Sequence, residues 1–263
     1  LLNDDTIKWL NEEMHNVVLS IDGRHDVHSA VRKAVNGKDC YDIIANNAMK
    51  FAKVRGDKSY YVRGTFTAKN LDFASDVLAL NDMGFDQISI EPVVTDIEDL
   101  KITKEHLPAI LKEYERLAEN YIDRRKGDKW FNFFHFMIDL EGGPCLVKRL
   151  TGCGSGCEYL AITPKGGIYP CHQFAENSDY YMGNVFDGDV DMSISDKFAD
   201  NIVTNKPDCS GCMAKYYCSG GCVANNLNYA GDMAKPYDIS CEMMRKRLEL
   251  SLAINAIEGA KNN

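Results

Sequence analysis

"CSGCMAKYYCSGGC", residues 209–222, places four cysteines within fourteen positions. Thiols this dense form disulfides, hold zinc, or cage an iron–sulfur cluster, and the choice among these decides what kind of fold surrounds them. Of ten cysteines in the 263-residue chain, Cys40 and Cys145 stand alone, and the other eight fall between 153 and 241. The N-terminal residues lack the charged and apolar regions of an export signal, and a reducing compartment keeps thiols free. Metal or cofactor binding is therefore the leading reading, in a protein expected to be cytoplasmic. Cys40 and Cys145 have no partner at ligand spacing and read as structural thiols.

The full series is Cys153-x3-Cys157-x13-Cys171, then Cys209-x2-Cys212-x5-Cys218-x3-Cys222, then Cys241. Ligands two or three residues apart reach one metal centre from a single tight loop. Glycine lets the amides of such a loop turn toward sulfur, often at positive φ. It is supplied in "CGSGC" (153–157), "CSGC" (209–212) and "CSGGC" (218–222). Eight thiolates make two sets of four, which suits two [4Fe–4S] clusters or two all-thiolate zinc sites. The short C-x2-C loop alone favours zinc. The long interleaved set followed by a distant lone cysteine is awkward for two independent zinc knuckles.

Upstream, "NVVLSID" (16–22), "YYVRGTFT" (60–67) and "QISIEPVV" (87–94) read as strands, and 39–56 and 71–84 as helices. Such alternation predicts an α/β fold with a parallel sheet and covering helices. Three βα units do not close a barrel, and an open sheet of three strands leaves raw edges. The chain is thus expected to be part of a longer protein, in keeping with its opening at Leu1 without Met. Residues 103–120 read as an amphipathic helix, and "WFNFFHFMIDL" (130–140) as a second helix with His135 as a packing residue. From 151 the pattern predicts a hairpin over 159–171, turning at Pro164, Gly166 and Gly167, a short helix over 192–204, and a last helix from Asp238 or Ser240 to about Gly259. The expected divisions are 1–100, a partial barrel, 101–150, bridging helices, and 151–263, a cysteine-rich domain. A formal charge of −9 excludes a nucleic-acid footprint, and no apolar stretch is long enough to span a membrane.

The cysteine series resembles the SPASM domain of radical S-adenosylmethionine (SAM) enzymes. That pattern is C-x(9–15)-G-x4-C, a gap, C-x2-C-x5-C-x3-C, another gap and a final C. Here Cys153, Gly166 and Cys171 fit its first part, and Cys209, Cys212, Cys218, Cys222 and Cys241 complete it. "LSIDGRHDVHSAVR" (19–32) resembles the fourth-strand segment of such enzymes, and "MGNV" (182–185) the Gly-Asn element of the SPASM domain. The resemblance implies the C-terminal half of a radical SAM (β/α) barrel, strands four to six, followed by SPASM. "CGSGCEYLAITPKGGIYPCHQF" (153–174) looks most like maturases of six-cysteine (SCIFF) ribosomal peptides, which form thioethers from Cys sulfur to an acceptor carbon, typically the α-carbon.

Carried over, Cys153, Cys171 and Cys222 would hold a first auxiliary [4Fe–4S] cluster, and Cys209, Cys212, Cys218 and Cys241 a second. Cys157 is extra to the pattern. It either supplies a fourth ligand to the first cluster or leaves one iron open for a substrate thiolate. His172 stands where sulfatase-maturating relatives carry an Asp, which argues for thioether chemistry; otherwise it is a hydrogen-bond donor behind the cluster. Ser20 and Asp22 would contact SAM at the end of their strand, or cap the turn. Arg63 would pair with the SAM carboxylate, or with Glu91. The CxxxCxxC loop for the SAM-cleaving cluster is absent, so SAM and a third [4Fe–4S] cluster are expected only in a full-length enzyme, and this chain alone is expected to be inactive. The implied partners are a cysteine-rich ribosomal precursor peptide and an electron donor such as a ferredoxin or flavodoxin. Two alternatives stay open: a zinc-structured peptide- or protein-binding module, and a non-catalytic SPASM electron-transfer protein.

Overall fold

The computed structural model describes residues 2–95, 97–138 and 145–259. They group into two compact units, one of residues 1–137 with 249–263 and one of 138–248. No helix among the described residues is long and apolar enough to cross a membrane.

The first unit runs α1 (Asp4–Glu13), β1 (Asn16–Ser20), α2 (His25–Val31), α3 (Tyr41–Arg55), β2 (Ser59–Phe66), α4 (Phe73–Asp82), β3 (Gln87–Pro92), α5 (Leu107–Arg124) and β4 (Asn132–Phe133). The strands lie in the order β1-β2-β3-β4 and every pairing is parallel. Leu19, Val62, Phe66, Ile88 and Ile90 are buried on one face with Phe51, Phe73, Tyr114 and Leu117 from the helices. Burying side chains of this size contributes about 1.5–3 kcal/mol each. Phe66 stacks on Phe73 at 4.5 Å, and Tyr114 meets Phe73 edge-on at 4.8 Å. Asn3 caps α1 with a reciprocal pair of bonds to Thr6, closing two amides the helix would otherwise leave open.

The structure corrects one element. The helix expected over 130–140 is instead β4 followed by a 3₁₀ turn at Phe134–Phe136, with 139 and 140 outside the described residues. Phe131, Phe133 and His135 are buried while Trp130 and Phe134 are exposed, which is the two-residue period of a strand. The sheet therefore has four strands where three were expected. The unit boundary at 137 also groups α5 and β4 with the sheet.

The second unit has α6 (Leu146–Thr151), β5 (Ala161–Ile162), β6 (Gly167–Tyr169), β7 (Gly183–Asn184), α7 (Met192–Ala199), α8 (Lys215–Cys218), α9 (Val223–Asn225) and the start of α10 (Asp238–Gly259). The expected hairpin is present as the antiparallel pair β5–β6, with β7 added at its side. One buried cluster of this unit joins Ile168, Cys171, Phe174, Met182, Ile194, Phe198 and Ala224.

Candidate metal centre and sheet face

On the face of the sheet opposite the helix-packed core, Ser20, Arg63 and Ser89 stand in register across β1, β2 and β3. Ser20 and Arg63 are exposed. Ser89 donates to Glu91 at 2.8 Å, and the other Glu91 oxygen meets His135 Nε2 at 2.9 Å. His135 Nδ1 lies 3.2 Å from the Tyr114 hydroxyl. Glu91 is thus engaged by serine and histidine, and the exposed Arg63 in the middle of β2 has no side-chain bond among the described residues. Ser89 and this role of His135 were not expected from the sequence, and Glu91 was expected only as a partner for Arg63; the polar residues at alternate positions of "QISIEPV" were the available signal.

Asp22 is different. It is 1% exposed, its oxygens accept from Arg32 at 2.6 and 3.2 Å, and one also accepts from the Thr65 amide at 3.0 Å. This is the turn-holding alternative. Close approach explains the neighbouring glycines: a Cβ on Gly64 would lie 2.8 Å from Ile21 O, and one on Gly23 (φ +118) would lie 2.3 Å from Asp76 Cβ.

The cysteines are organised by the loops that carry them. Gly154 (φ +69), Gly156 (φ +81), Gly220 (φ +82) and Gly221 (φ +84) take the left-handed conformation expected around sulfur. Gly211 of "CSGC" does not, and it faces open space. Burial pushes the Cys218 thiol up, while bonds from the Gly221 and Gly220 amides favour its thiolate, and Cys209 and Cys212 lie close enough to oppose it. Cys241 is pushed up to about 11, by burial first and then by Cys218, with Cys209 and Cys212 adding to it. Cys171 is raised by burial, with Cys222 and Cys153 beside it and the Gln173 and Phe174 amides favouring the thiolate.

The charges acting on Cys171 include those of Cys222 and Cys153, and those acting on Cys218 and Cys241 include Cys209 and Cys212. Cys157 bonds to Ser195, its sulfur 3.5 Å from the Ser195 carbonyl and 3.6 Å from the hydroxyl. His172 is exposed and its Nδ1 lies 3.1 Å from Tyr159 OH. Cys145 is exposed at the start of α6, not packed as a structural thiol, and Cys40 is half-buried. Among the described residues no three His, Cys, Asp or Glu side chains converge tightly enough for a single metal ion. The donor set fits a cluster, which seats each thiolate on its own iron and so uses a wider cage of soft ligands and amide donors.

Residues 153–213 match the SPASM family, an iron–sulfur cluster-binding domain. The second unit carries a SPASM domain. Cys218, Cys222 and Cys241 lie beyond the matched span. Over 242 residues the chain is 24% identical to a cysteine-type anaerobic sulfatase-maturating enzyme of Clostridium novyi (strain NT), covering 85% of this chain and 62% of that protein. The chain thus spans less than two thirds of this relative. Among solved structures, histidine-tagged anSMEcpe with bound AdoMet aligns with a TM-score of 0.72 at 17% identity, over 100% of this chain and 70% of that one. Native anSMEcpe with bound AdoMet and the Kp18Cys peptide gives 0.72 at 18% identity, over 99% and 73%. Streptococcus suis SuiB bound to S-adenosylmethionine gives 0.56 at 20% identity, over 92% and 57%. The fold is that of the radical SAM/SPASM enzymes.

Proposed function

We propose that the chain is the sheet-and-SPASM part of a radical SAM enzyme that modifies a peptide. The observation that carries this reading is the match of residues 153–213 to the SPASM family, with the cysteine series continuing beyond it through Cys218, Cys222 and Cys241. Two [4Fe–4S] clusters would be held there, the first by Cys153, Cys171 and Cys222 with Cys157 as candidate fourth ligand, the second by Cys209, Cys212, Cys218 and Cys241. When bound with the cluster of a CxxxCxxC loop, SAM supplies a radical able to remove hydrogen from carbon. The chain's own part is to bind and orient. Ser20, exposed at the end of β1, and Arg63, exposed beside it in β2, would take the polar groups of SAM, Arg63 as a planar donor pair for its carboxylate.

For the reaction we favour thioether formation between a peptide Cys sulfur and an acceptor carbon, in a cysteine-rich precursor peptide. What supports it is His172 directly after Cys171, where the sulfatase-maturating pattern has an Asp able to act as base. The second reading is oxidation of a peptide cysteine, favoured by the likeness to the sulfatase-maturating relative. The test is the complete reading frame, expressed, reconstituted anaerobically and given SAM, a reductant and cysteine-containing peptides. A product two mass units lighter that resists alkylation at the cysteine, with a carbon–sulfur cross-link in its fragment spectrum, is the expected result. A cysteine converted to an aldehyde-bearing residue would replace the thioether reading with the sulfatase one. Iron and sulfide near eight of each per chain beyond the SAM cluster is expected, from two four-iron clusters. A colourless protein holding zinc would overturn the whole proposal.

A further inference from the structure

Lys206 is 2% exposed, an unusual place for an ammonium. Its Nζ donates to Gly220 O at 3.1 Å and to Met233 O at 3.3 Å, both neutral carbonyls. Asn226, 1% exposed, donates to the same two oxygens at 3.0 and 3.1 Å. An uncharged side chain therefore already satisfies both acceptors, so the carbonyls alone do not call for a cation. Isolating a charge from water costs several kcal/mol unless opposite charge lies near.

The chain path shows where that opposite charge lies. The Cys209 amide donates to Lys206 O at 3.0 Å, so the lysine is tied to the start of the Cys209–Cys212 loop. Its far end rests on Gly220, midway between Cys218 and Cys222. A Cβ there would lie 2.6 Å from Lys206 Cδ and 3.0 Å from Nζ. Gly220 is thus kept bare by the lysine. In the two-cluster reading Cys218 belongs to the set of four and Cys222 to the set of three, and Gly220, which the ammonium touches, lies on the segment joining them. Burial lowers the Lys206 pKa, and the charges that oppose this are led by Cys209 and Cys218, ahead of Asp232 and Cys222.

We propose that Lys206 is a fixed positive charge shared by the two cysteine groups, a positioning residue that holds up the reduction potential of the clusters bound there. This rests on the two-cluster reading above. A buried cation favours the more negative, reduced form of each cluster, and burial keeps salt from screening it.

The test is an EPR-monitored redox titration of the reconstituted protein and its Lys206→Met and Lys206→Gln variants, with iron and sulfide counted first. At wild-type iron content, either neutral variant should shift the oxidised-to-reduced ratio of the cluster signals at least tenfold toward oxidised at a fixed potential, about 59 mV for one electron. Unchanged potentials at full iron content would overturn the proposal and leave Lys206 as a carbonyl clamp. Should neither neutral variant assemble clusters, Lys206→Arg decides. Cluster assembly with wild-type potentials in that variant supports a charge requirement, and its failure to assemble assigns the lysine to packing. A wild-type protein without iron removes the two-cluster reading itself, before any Lys206 variant is compared.

Discussion

Asp22 and Arg63 lie on or beside neighbouring strands, and their surroundings separate fold from ligand binding. Asp22 is buried and engaged by Arg32 and the Thr65 amide, so Asp22→Ala leaves a buried amide and a guanidinium without their acceptor. Arg32 is 41% exposed and regains water, so the expected loss is about 1–3 kcal/mol, read as a lower urea midpoint. Arg63→Ala should leave that midpoint in place and weaken SAM binding about 10- to 100-fold in the complete enzyme, as measured by calorimetry, through loss of a charge-assisted contact. An Arg63 variant that binds SAM normally would move the SAM contact elsewhere. His28 adds a pH term. It is fully buried, its Nδ1 accepts the Asp22 amide at 3.2 Å, and its Nε2 has no partner. Burial lowers its pKa, with nearby Asp22 opposing the shift. The unfolded chain therefore binds a proton that the native one refuses, and stability falls as pH drops below about 6.5. The slope contributed is at most about 1.4 kcal/mol per pH unit. Urea midpoints from pH 7.5 to 5.5 should decline less in His28→Gln than in the wild type; parallel declines would refute this.

Loops and short strands show what local sequence could and could not convey. The βα alternation of the first unit was legible because β1, β2 and β3 are short apolar runs between helices of clear period. The fourth strand was not, because the run 130–136, with six aromatic or imidazole rings in seven residues, satisfies helical and strand periods alike, and only the pairing of Gln87 with Asn132 and Ile88 with Phe133 settles it. The cysteine glycines were legible as a group but not individually. Gly183 (φ +131) would put a Cβ 2.2 Å from Asp189 O, and Gly166 (φ +84) would put one 2.6 Å from Asn184 Oδ1. Asn184 Oδ1 also accepts the Phe186 amide and its Nδ2 donates to Lys165 O, each at 3.0 Å, so Gly166 and the "MGNV" turn form one interlocked corner. Gly183→Ala should lower thermal stability of the second unit by 1–3 kcal/mol or more, from strain of about this size at a non-glycine left-handed residue. Gly211→Ala should stay within about 0.5 kcal/mol. Equal effects in the two would mean that the C-x2-C loop tightens around its metal in a way the open space at Gly211 does not reveal.

The two units differ in where their folding free energy comes from. The first buries large rings and branched chains on one face of a four-stranded sheet. The second has strands of two or three residues, and its buried cluster around Ile168, Phe174 and Phe198 includes Cys171. Strands this short offset little of the ordering entropy, so the clusters proposed for the second unit are expected to supply part of its folding free energy. Its cysteines were legible in sequence while its topology was not, because thiol spacing can be read directly, whereas such short strands leave almost no periodic signal. Hydrogen exchange read by mass spectrometry on reconstituted and iron-free protein should show this division. Iron removal should release protection from Cys153 to Cys241, most of all in the Gly220–Gly221 knuckle and the β5–β6 hairpin. Protection of β1, β2, β3 and α5 should be unchanged within error. If both units lose protection together, the sheet's core does not suffice on its own. If neither does, the second unit is held by packing alone, and its thiols are free to serve chemistry other than folding.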